Sequence, residues 1–261
     1  MQNIFSLKDR VVLITGAAGL LGQMHAEAIV EHGGIAILAD INDSKATDIA
    51  KKINSQYGHT RARSAYLDVT DKQSIINLAK VHPDINVLIN NAARNPAVSS
   101  KGKVAGAFET LTLEEWNSGL DVTLTGTFLC AQVFGEIFAK NKFGVIVNIS
   151  SDLGVHAPDQ RIYKDGKKPI TYSASKFAIV GVTKYLATYY ADKNIRVNCI
   201  SPGGVYVNQP KDFVDRLTNL IPMGRMARKD EYKGAIVFLC SDASSYMTGE
   251  NIVINGGRAA W

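Results

Sequence analysis

Apolar residues fall along this chain in two alternating rhythms. Short runs rich in β-branched residues recur at 11–15, 35–40, 63–67, 86–89, 145–150, 195–200 and 251–254, and such bounded runs read as strands. Between them, apolar residues return every three or four positions at 20–31, 44–53, 74–81, 113–139, 172–191 and 231–239, the spacing of one helix face.

Strands alternating with helices imply right-handed βαβ crossovers and a parallel sheet. Runs such as Val-Val-Leu-Ile and Val-Ile-Val-Asn-Ile are apolar along nearly their whole length, which fits a sheet covered on both sides. The expected fold is α/β: a doubly wound, mostly parallel seven-stranded sheet with helices on both faces, Rossmann-like, in one domain spanning 1–261. Two stretches break the rhythm, 94–107 and 155–170. Both follow strands, so both should flank a site beyond the carboxyl ends of the sheet, where open parallel sheets bind ligands.

Composition narrows the class. With 46% apolar and 20% charged residues in 261 and a mean hydropathy of -0.01, the chain is an ordinary globule, neither disordered nor collagenous. No uncharged apolar run approaches the ~20 residues that cross a bilayer, and the start MQNIFSLKDR lacks an apolar signal core, so a cytoplasmic protein without a membrane partner is expected. The net charge of +5 is spread along the chain, which argues against a nucleic-acid partner. Cys130, Cys199 and Cys240 are far apart, without metal-ligand spacing; they suggest buried small hydrophobes, no disulfide framework and no metal site.

The first strand is followed by Thr15-Gly16-Ala17-Ala18-Gly19-Leu20-Leu21-Gly22. Small residues there permit a tight turn and close backbone approach to a pyrophosphate, while the helix that follows offers free N–H groups. Asp40 ends the second strand 18 residues after Gly22, where a carboxylate can accept from both adenine-ribose hydroxyls. Ala17, Ala18 and Ile41 offer no cation to a 2′-phosphate, so NAD(H) is favoured over NADP(H), with Lys45 keeping NADP(H) open. Asn42 and Asp43 are the expected caps of the next helix.

Tyr172-Ser173-Ala174-Ser175-Lys176 places a phenol and an ammonium four residues apart on one helix face. A phenol with pKa near ~10 needs ~3–4 kcal/mol of differential stabilisation to titrate ~2–3 units lower, which a nearby ammonium in a partly dry site can supply. Ser150 and Ser151 end the fifth strand, so a hydroxyl can orient a reacting oxygen beside that phenol. Taken alone, each element also fits a solvated helix face or a plain strand end.

Gly16/Gly19/Gly22, Asp40, Asn90-Asn91-Ala92-Ala93, Ser151, Tyr172/Lys176 and Pro202-Gly203-Gly204 stand in one order along the chain. Together they resemble the short-chain dehydrogenase/reductase family, in its compact single-domain branch, over essentially the whole sequence. The resemblance extends to Asp68-Val69 beside the adenine and to Tyr246-Met247-Thr248-Gly249 and Asn255-Gly256-Gly257 around the last strand. It implies Tyr172 as acid/base, Lys176 as its electrostatic partner and ribose ligand, and Ser151 as substrate-oxygen anchor. It places Gly16, Gly19, Leu21, Asp40, Asp68, Val69, Asn91, Ala92, Pro202, Gly203 and Val205, with Tyr172 and Lys176, against the dinucleotide. Asn90 would support the central sheet and border the cofactor.

Four departures from the family pattern stand out. The glycine spacing is that of its longer epimerase and dehydratase branch. Thr123 stands where an asparagine normally completes a water-lysine proton relay; it is the fourth catalytic candidate, since its hydroxyl can still bind water although its side chain is shorter and β-branched. Ser151 and Tyr172 are 21 positions apart, a longer gap than usual, and Val207 replaces a common threonine.

The implied reaction is interconversion of a secondary alcohol and a ketone with NAD(H) on a small molecule. Loops at about 94–107, 155–170 and 206–221 should roof the pocket. Their basic residues Arg94, Lys101, Lys103, Arg161, Lys164, Lys167 and Lys168 point to a polar, sugar-like or anionic substrate, or equally to a surface that is basic throughout. Two other readings compete: an NAD-binding protein with little turnover, motivated by Thr123 and Val207, and a redox-neutral sugar epimerase or dehydratase using bound NAD. The second is disfavoured by the absence of a substrate domain after the last strand. The resemblance also implies a homotetramer or homodimer joined through the helices at 113–139 and 172–191.

Overall fold

The computed structural model of the protein describes residues 3–58, 60–95, 107–164 and 166–260. Most of the 94–107 loop, with Lys101 and Lys103, lies outside the described residues.

Seven strands form one sheet: β1 Val11–Thr15, β2 Ile35–Asp40, β3 Ala62–Tyr66, β4 Val87–Asn90, β5 Gly144–Ile149, β6 Ile195–Pro202 and β7 Asn251–Ile254. Their spatial order is β3-β2-β1-β4-β5-β6-β7, and every neighbouring pair is parallel. The order reverses between β1 and β4, so their carboxyl ends open the crevice that a doubly wound sheet offers a ligand.

Alternate side chains of each strand enter two separate cores, as period-2 geometry requires. Val12, Ile14, Leu38, Val87 and Val145 pack with α1 (Leu20–Glu31), α2 (Asp43–Tyr57) and α8 (Lys233–Cys240). Leu13, Ile37, Leu88 and Ile146 pack with α3 (Lys72–Val81), α5 (Gly126–Asn141) and α6 (Ile170–Tyr189). The three cysteines are free and buried. Asn42 caps α2 as expected, accepting from Lys45 N at 3.1 Å.

The helix expected over 113–139 has an internal irregularity. It opens as α4 (Leu113–Leu120), widens into a π turn at Asp121–Thr125, and continues as α5. The 29-residue run Leu113–Asn141 is long and apolar enough to cross a membrane by length and composition; here Cys130, Ala131, Phe134 and Phe138 pack it against the sheet.

The 206–221 stretch contains a helix that apolar periodicity did not single out, α7 (Lys211–Thr218). It packs on the 155–170 loop: Leu217 and Ile221 meet Ile162, Tyr163 and Phe213 rings lie 5.8 Å apart, and Arg216 Nε donates to the Ile162 carbonyl at 2.7 Å. These two segments form one roof over the sheet's carboxyl edge.

Candidate active site

The chain turns sharply after β1. Gly16 has φ +63, and a Cβ there would stand 2.7 Å from Ala92 Cα, so the turn and the end of β4 touch backbone to backbone. Thr15 Oγ1 accepts from the N–H groups of Asn91 and Ala92 at 3.0 Å, and Asn91 Nδ2 donates to the carbonyls of Thr15 and Gly16 at 3.0 Å. Gly19 begins α1 with no side-chain cap, which leaves the helix's first N–H groups available to an anion. Asp40 closes the far side: its Oδ2 accepts from Ala18 N and its Oδ1 from Asn42 N, each at 2.9 Å.

A cavity of about 610 Å³ runs from this turn along the carboxyl edge. Gly16, Gly19, Leu21, Asp40, Asp68, Val69, Asn91, Ala92, Pro202, Gly203 and Val205 line it, together with Ser151, Tyr172 and Lys176. The sequence-predicted dinucleotide residues are thus gathered on one surface. The close backbone approach at Gly16, the uncapped helix end and the carboxylate at the end of β2 fit a pyrophosphate and an adenine ribose. Asn90 serves the sheet as expected, donating from Nδ2 to Asn148 Oδ1 at 2.9 Å, but it is buried behind the cavity and does not line it, so Asn91 and not Asn90 borders the cofactor site.

At the other end, Lys176 is buried and donates from Nζ to the Ile149 carbonyl at 2.7 Å. Burial pulls its ammonium down to about 8. Its Nζ lies 5.9 Å from the centroid of the Tyr172 ring. The expectation that Lys176 holds the phenol of Tyr172 low is not met in the protein alone. Burial pushes that phenol above its ordinary value, and the neighbouring Ser151 hydroxyl offsets only part of the rise. The physical reason is desolvation, which disfavours the phenolate. Ser151 Oγ also accepts from Leu153 N at 3.2 Å and donates to Asp152 Oδ1 at 3.1 Å.

Thr123 stands apart from this group. It lies in the π turn, fully buried, and its Oγ1 accepts from Arg94 N at 3.0 Å. Its neighbour Val122 lines the cavity, and Thr123 is not among the lining residues.

The basic residues of the loops separate sharply. Arg161 pairs with Asp159, Lys164 pairs with Asp212, and Arg94 reaches Ser118. Among the described basic residues of these loops, Lys168 lines the cavity; its Nζ lies 3.9 Å from the Tyr172 ring centroid and donates to Asn95 Oδ1 at 2.6 Å. Burial draws it down to about 8. Arg258 also lines the cavity, in an ion pair of 3.0 Å with Asp152. Sequence reasoning passed over Arg258, although an arginine directly after Asn255-Gly256-Gly257 was the available signal. Gln209 lines the cavity too and holds the Val205 carbonyl at 2.8 Å.

Comparison with known proteins places this architecture. Residues 16–259 match a family model described as enoyl-(acyl carrier protein) reductase. The chain is 35% identical to an NAD-dependent glycerol dehydrogenase of Listeria innocua, over 97% of this chain and 95% of that protein. It is 34% identical to a D-threitol dehydrogenase of Mycolicibacterium smegmatis, over 97% and 94%. Among solved structures, a gluconate 5-dehydrogenase of Burkholderia cenocepacia in complex with NADP and tartrate superposes with a TM-score of 0.85 at 26% identity, covering 99% of this chain and 98% of that one.

Proposed function

Because the chain belongs to the short-chain dehydrogenase/reductase family, we propose that this oxidoreductase interconverts a secondary alcohol and a ketone on a polyhydroxyl small molecule, with NAD(H) preferred over NADP(H). One observation carries the reading: Ser151, Tyr172 and Lys176 share a single cavity with the glycine turn and Asp40.

The proposed division of labour follows from the side chains. Gly16, Gly19 and the first turn of α1 hold the pyrophosphate, Asp40 takes the adenine ribose, and Lys176 takes the second ribose. Bound nicotinamide would supply the hydride acceptor or donor. Ser151 orients the reacting oxygen of the substrate, and Tyr172 exchanges a proton with it. The roof formed by α7 and the 155–170 loop keeps water from that exchange.

Asp40 supports NAD(H): its charge opposes a 2′-phosphate, and the side chain that follows, Ile41, is apolar and exposed. The polyhydroxyl substrate is supported by the hydrogen-bonding groups of Asn95, Lys168, Gln209 and Arg258 along the cavity, and by the glycerol and D-threitol dehydrogenases to which the chain is similar. Lys168 adds a cation, so a polyhydroxy acid is accommodated as well. The proposal extends to association. Phe128 of α5 and Phe177, Tyr185 and Tyr189 of α6 are exposed, an outward apolar surface suited to pairing two copies through these helices.

The test is a turnover panel of glycerol, D-threitol, xylitol and gluconate, each with NAD and with NADP. Turnover of at least one member with NAD exceeding NADP is expected. Turnover confined to apolar neutral alcohols rejects the polyhydroxyl substrate. Stoichiometric dinucleotide binding with no turnover of any alcohol rejects the enzymatic reading.

A further inference from the structure

We propose that Lys168 seats a carboxylate of the substrate, so that the protein selects sugar acids over neutral polyols of the same chain length. The inference rests on the reaction proposed above and names the substrate class of that same site.

Among the described residues, the cations that line the cavity are Lys168, Lys176 and Arg258. Two of them are already committed. Arg258 Nη1 pairs with Asp152 Oδ2 at 3.0 Å, with both side chains buried. Lys176 Nζ donates to the Ile149 carbonyl at 2.7 Å and, in the reaction above, serves the second ribose. Lys168 differs: among the described residues it has no ion pair, and its Nζ donates to the neutral Asn95 Oδ1 at 2.6 Å while standing over the Tyr172 ring. An ammonium carries three N–H donors. The amide oxygen and the ring face take two, which leaves a third for a ligand.

The acidic residues of the lining do not neutralise it. Asp40 accepts from Ala18 N and Asn42 N, and Asp68 Oδ1 from Thr70, both on the adenine side. The charge of Asp152 reaches Lys168, but its two oxygens are taken by Ser151 and Arg258. Burial disfavours the Lys168 charge, and a carboxylate arriving with the substrate supplies the counter-charge. A neutral polyol would cover the ammonium without compensating it, and that difference discriminates between the two classes. A single ammonium matches the one charge of a carboxylate, whereas a phosphate dianion calls for a fork of donors that Arg258 has already given to Asp152.

The ammonium is held in place. Gln160 Oε1 accepts from Lys168 N at 2.9 Å, and Gln160 Nε2 donates to the Lys168 carbonyl at 3.4 Å. One side chain thus fixes both backbone groups of Lys168. Lys168 stands four positions before Tyr172, as Lys176 stands four after, so a carboxylate at Lys168 and a hydroxyl at Tyr172 fit within one small molecule. Ile162, Phe213, Leu217 and Met226 line the same cavity and pack together. An apolar wall of this kind keeps water away and strengthens a contact between ammonium and carboxylate.

The experiment has two arms. With NAD, kcat/KM is measured for three matched pairs: glycerol and glycerate, D-threitol and D-threonate, D-glucitol and D-gluconate. For at least one pair the acid should exceed the neutral polyol by about tenfold to a hundredfold, the scale of a hydrogen bond to a charged group. Lys168→Met should bring that ratio close to one, and Lys168→Arg should retain most of it. Because both members of a pair use Tyr172, the ratio within each variant cancels any effect of the substitution on the phenol. A ratio near one in the unmodified protein, or a ratio that survives in Lys168→Met, overturns the carboxylate seat and leaves the oxidoreductase reading standing. A larger preference for glycerol 3-phosphate than for glycerate overturns the choice of carboxylate.

The second arm needs no turnover. The same six compounds are titrated by calorimetry into the protein saturated with NADH, where an alcohol cannot react. At least one acid should bind about tenfold or more tighter than its neutral partner, and Lys168→Met should abolish the difference. Equal affinities within every pair overturn the proposal whatever the reaction is. Tight binding of an acid that depends on Lys168, with no turnover of any pair, supports the seat and counts against the reaction itself.

Discussion

The ammonium of Lys168 lies closer to the Tyr172 ring than that of Lys176 does, 3.9 Å against 5.9 Å from the centroid. A cation over an aromatic face stabilises the ring, and stabilises its phenolate more. A cation in that place favours the phenolate, against the burial that raises Tyr172. Lys168→Met should move the titration limb of kcat/KM that reports Tyr172 to higher pH by about half to one unit, the range a cation–π contact supplies. An unmoved limb would show that Lys168 serves only substrate contact, and KM alone would then change.

Asp40 joins two loops before any ligand arrives, taking Ala18 N and Asn42 N. Removing it in Asp40→Ala should weaken NAD binding by roughly tenfold to a hundredfold, the scale of lost hydrogen bonds to a charged group. NADP affinity should fall less, because a repulsion is removed at the same time. Fluorescence titration with both dinucleotides reads the ratio.

Gly16 combines a positive φ with backbone contact to Ala92. In Gly16→Ala the methyl group must displace the end of β4, and the left-handed conformation alone costs roughly 1–2 kcal/mol. Thermal unfolding should show a lower Tm, and dinucleotide affinity should fall with it. An unchanged Tm with full affinity would mean the turn does not approach Ala92 so closely.

His25 is fully buried on α1, and neither ring nitrogen has a hydrogen-bond partner among the described residues. Burial lowers it from 6.5 to about 3. Below pH 6.5 the unfolded chain takes up a proton at this residue that the folded chain refuses until about pH 3. Its contribution to stability is thus complete above 6.5 and falls away as pH drops through that window. His25→Leu should flatten the stability profile there, and relief of an unpaired buried polar ring should raise stability by about 1–3 kcal/mol at neutral pH. Denaturant midpoints at pH 7 and pH 5 provide the check.

Much of the fold is legible in the sequence because both sheet faces are buried: β1 and β4 are buried along their whole length, leaving no polar phase to misread. The glycine turn, Asp40 and the Ser151/Tyr172/Lys176 set are equally legible, since each is tied to the end of a strand or the start of a helix. Less of the roof could be read. α7 is only eight residues long and begins after Pro210, too short for its periodicity to stand out within a loop. Arg258 and Asp152 are 106 positions apart and meet only in three dimensions. The basic loop residues looked alike in one dimension; among the described ones, Arg161 pairs with Asp159 and Lys164 with Asp212, while Lys168 faces the cavity. The desolvation that raises Tyr172 depends on burial that no spacing rule reports.

The most direct measurement of the central claim, that Tyr172 exchanges the proton of an alcohol held beside Ser151 and Lys176, pairs dinucleotide affinity with turnover in Tyr172→Phe. NAD affinity within a few-fold of the unmodified protein and a fall in kcat of at least about a hundredfold, the lower bound for losing a general acid–base group, is the expected result. Turnover retained at a comparable rate, with the same pH profile, would contradict it.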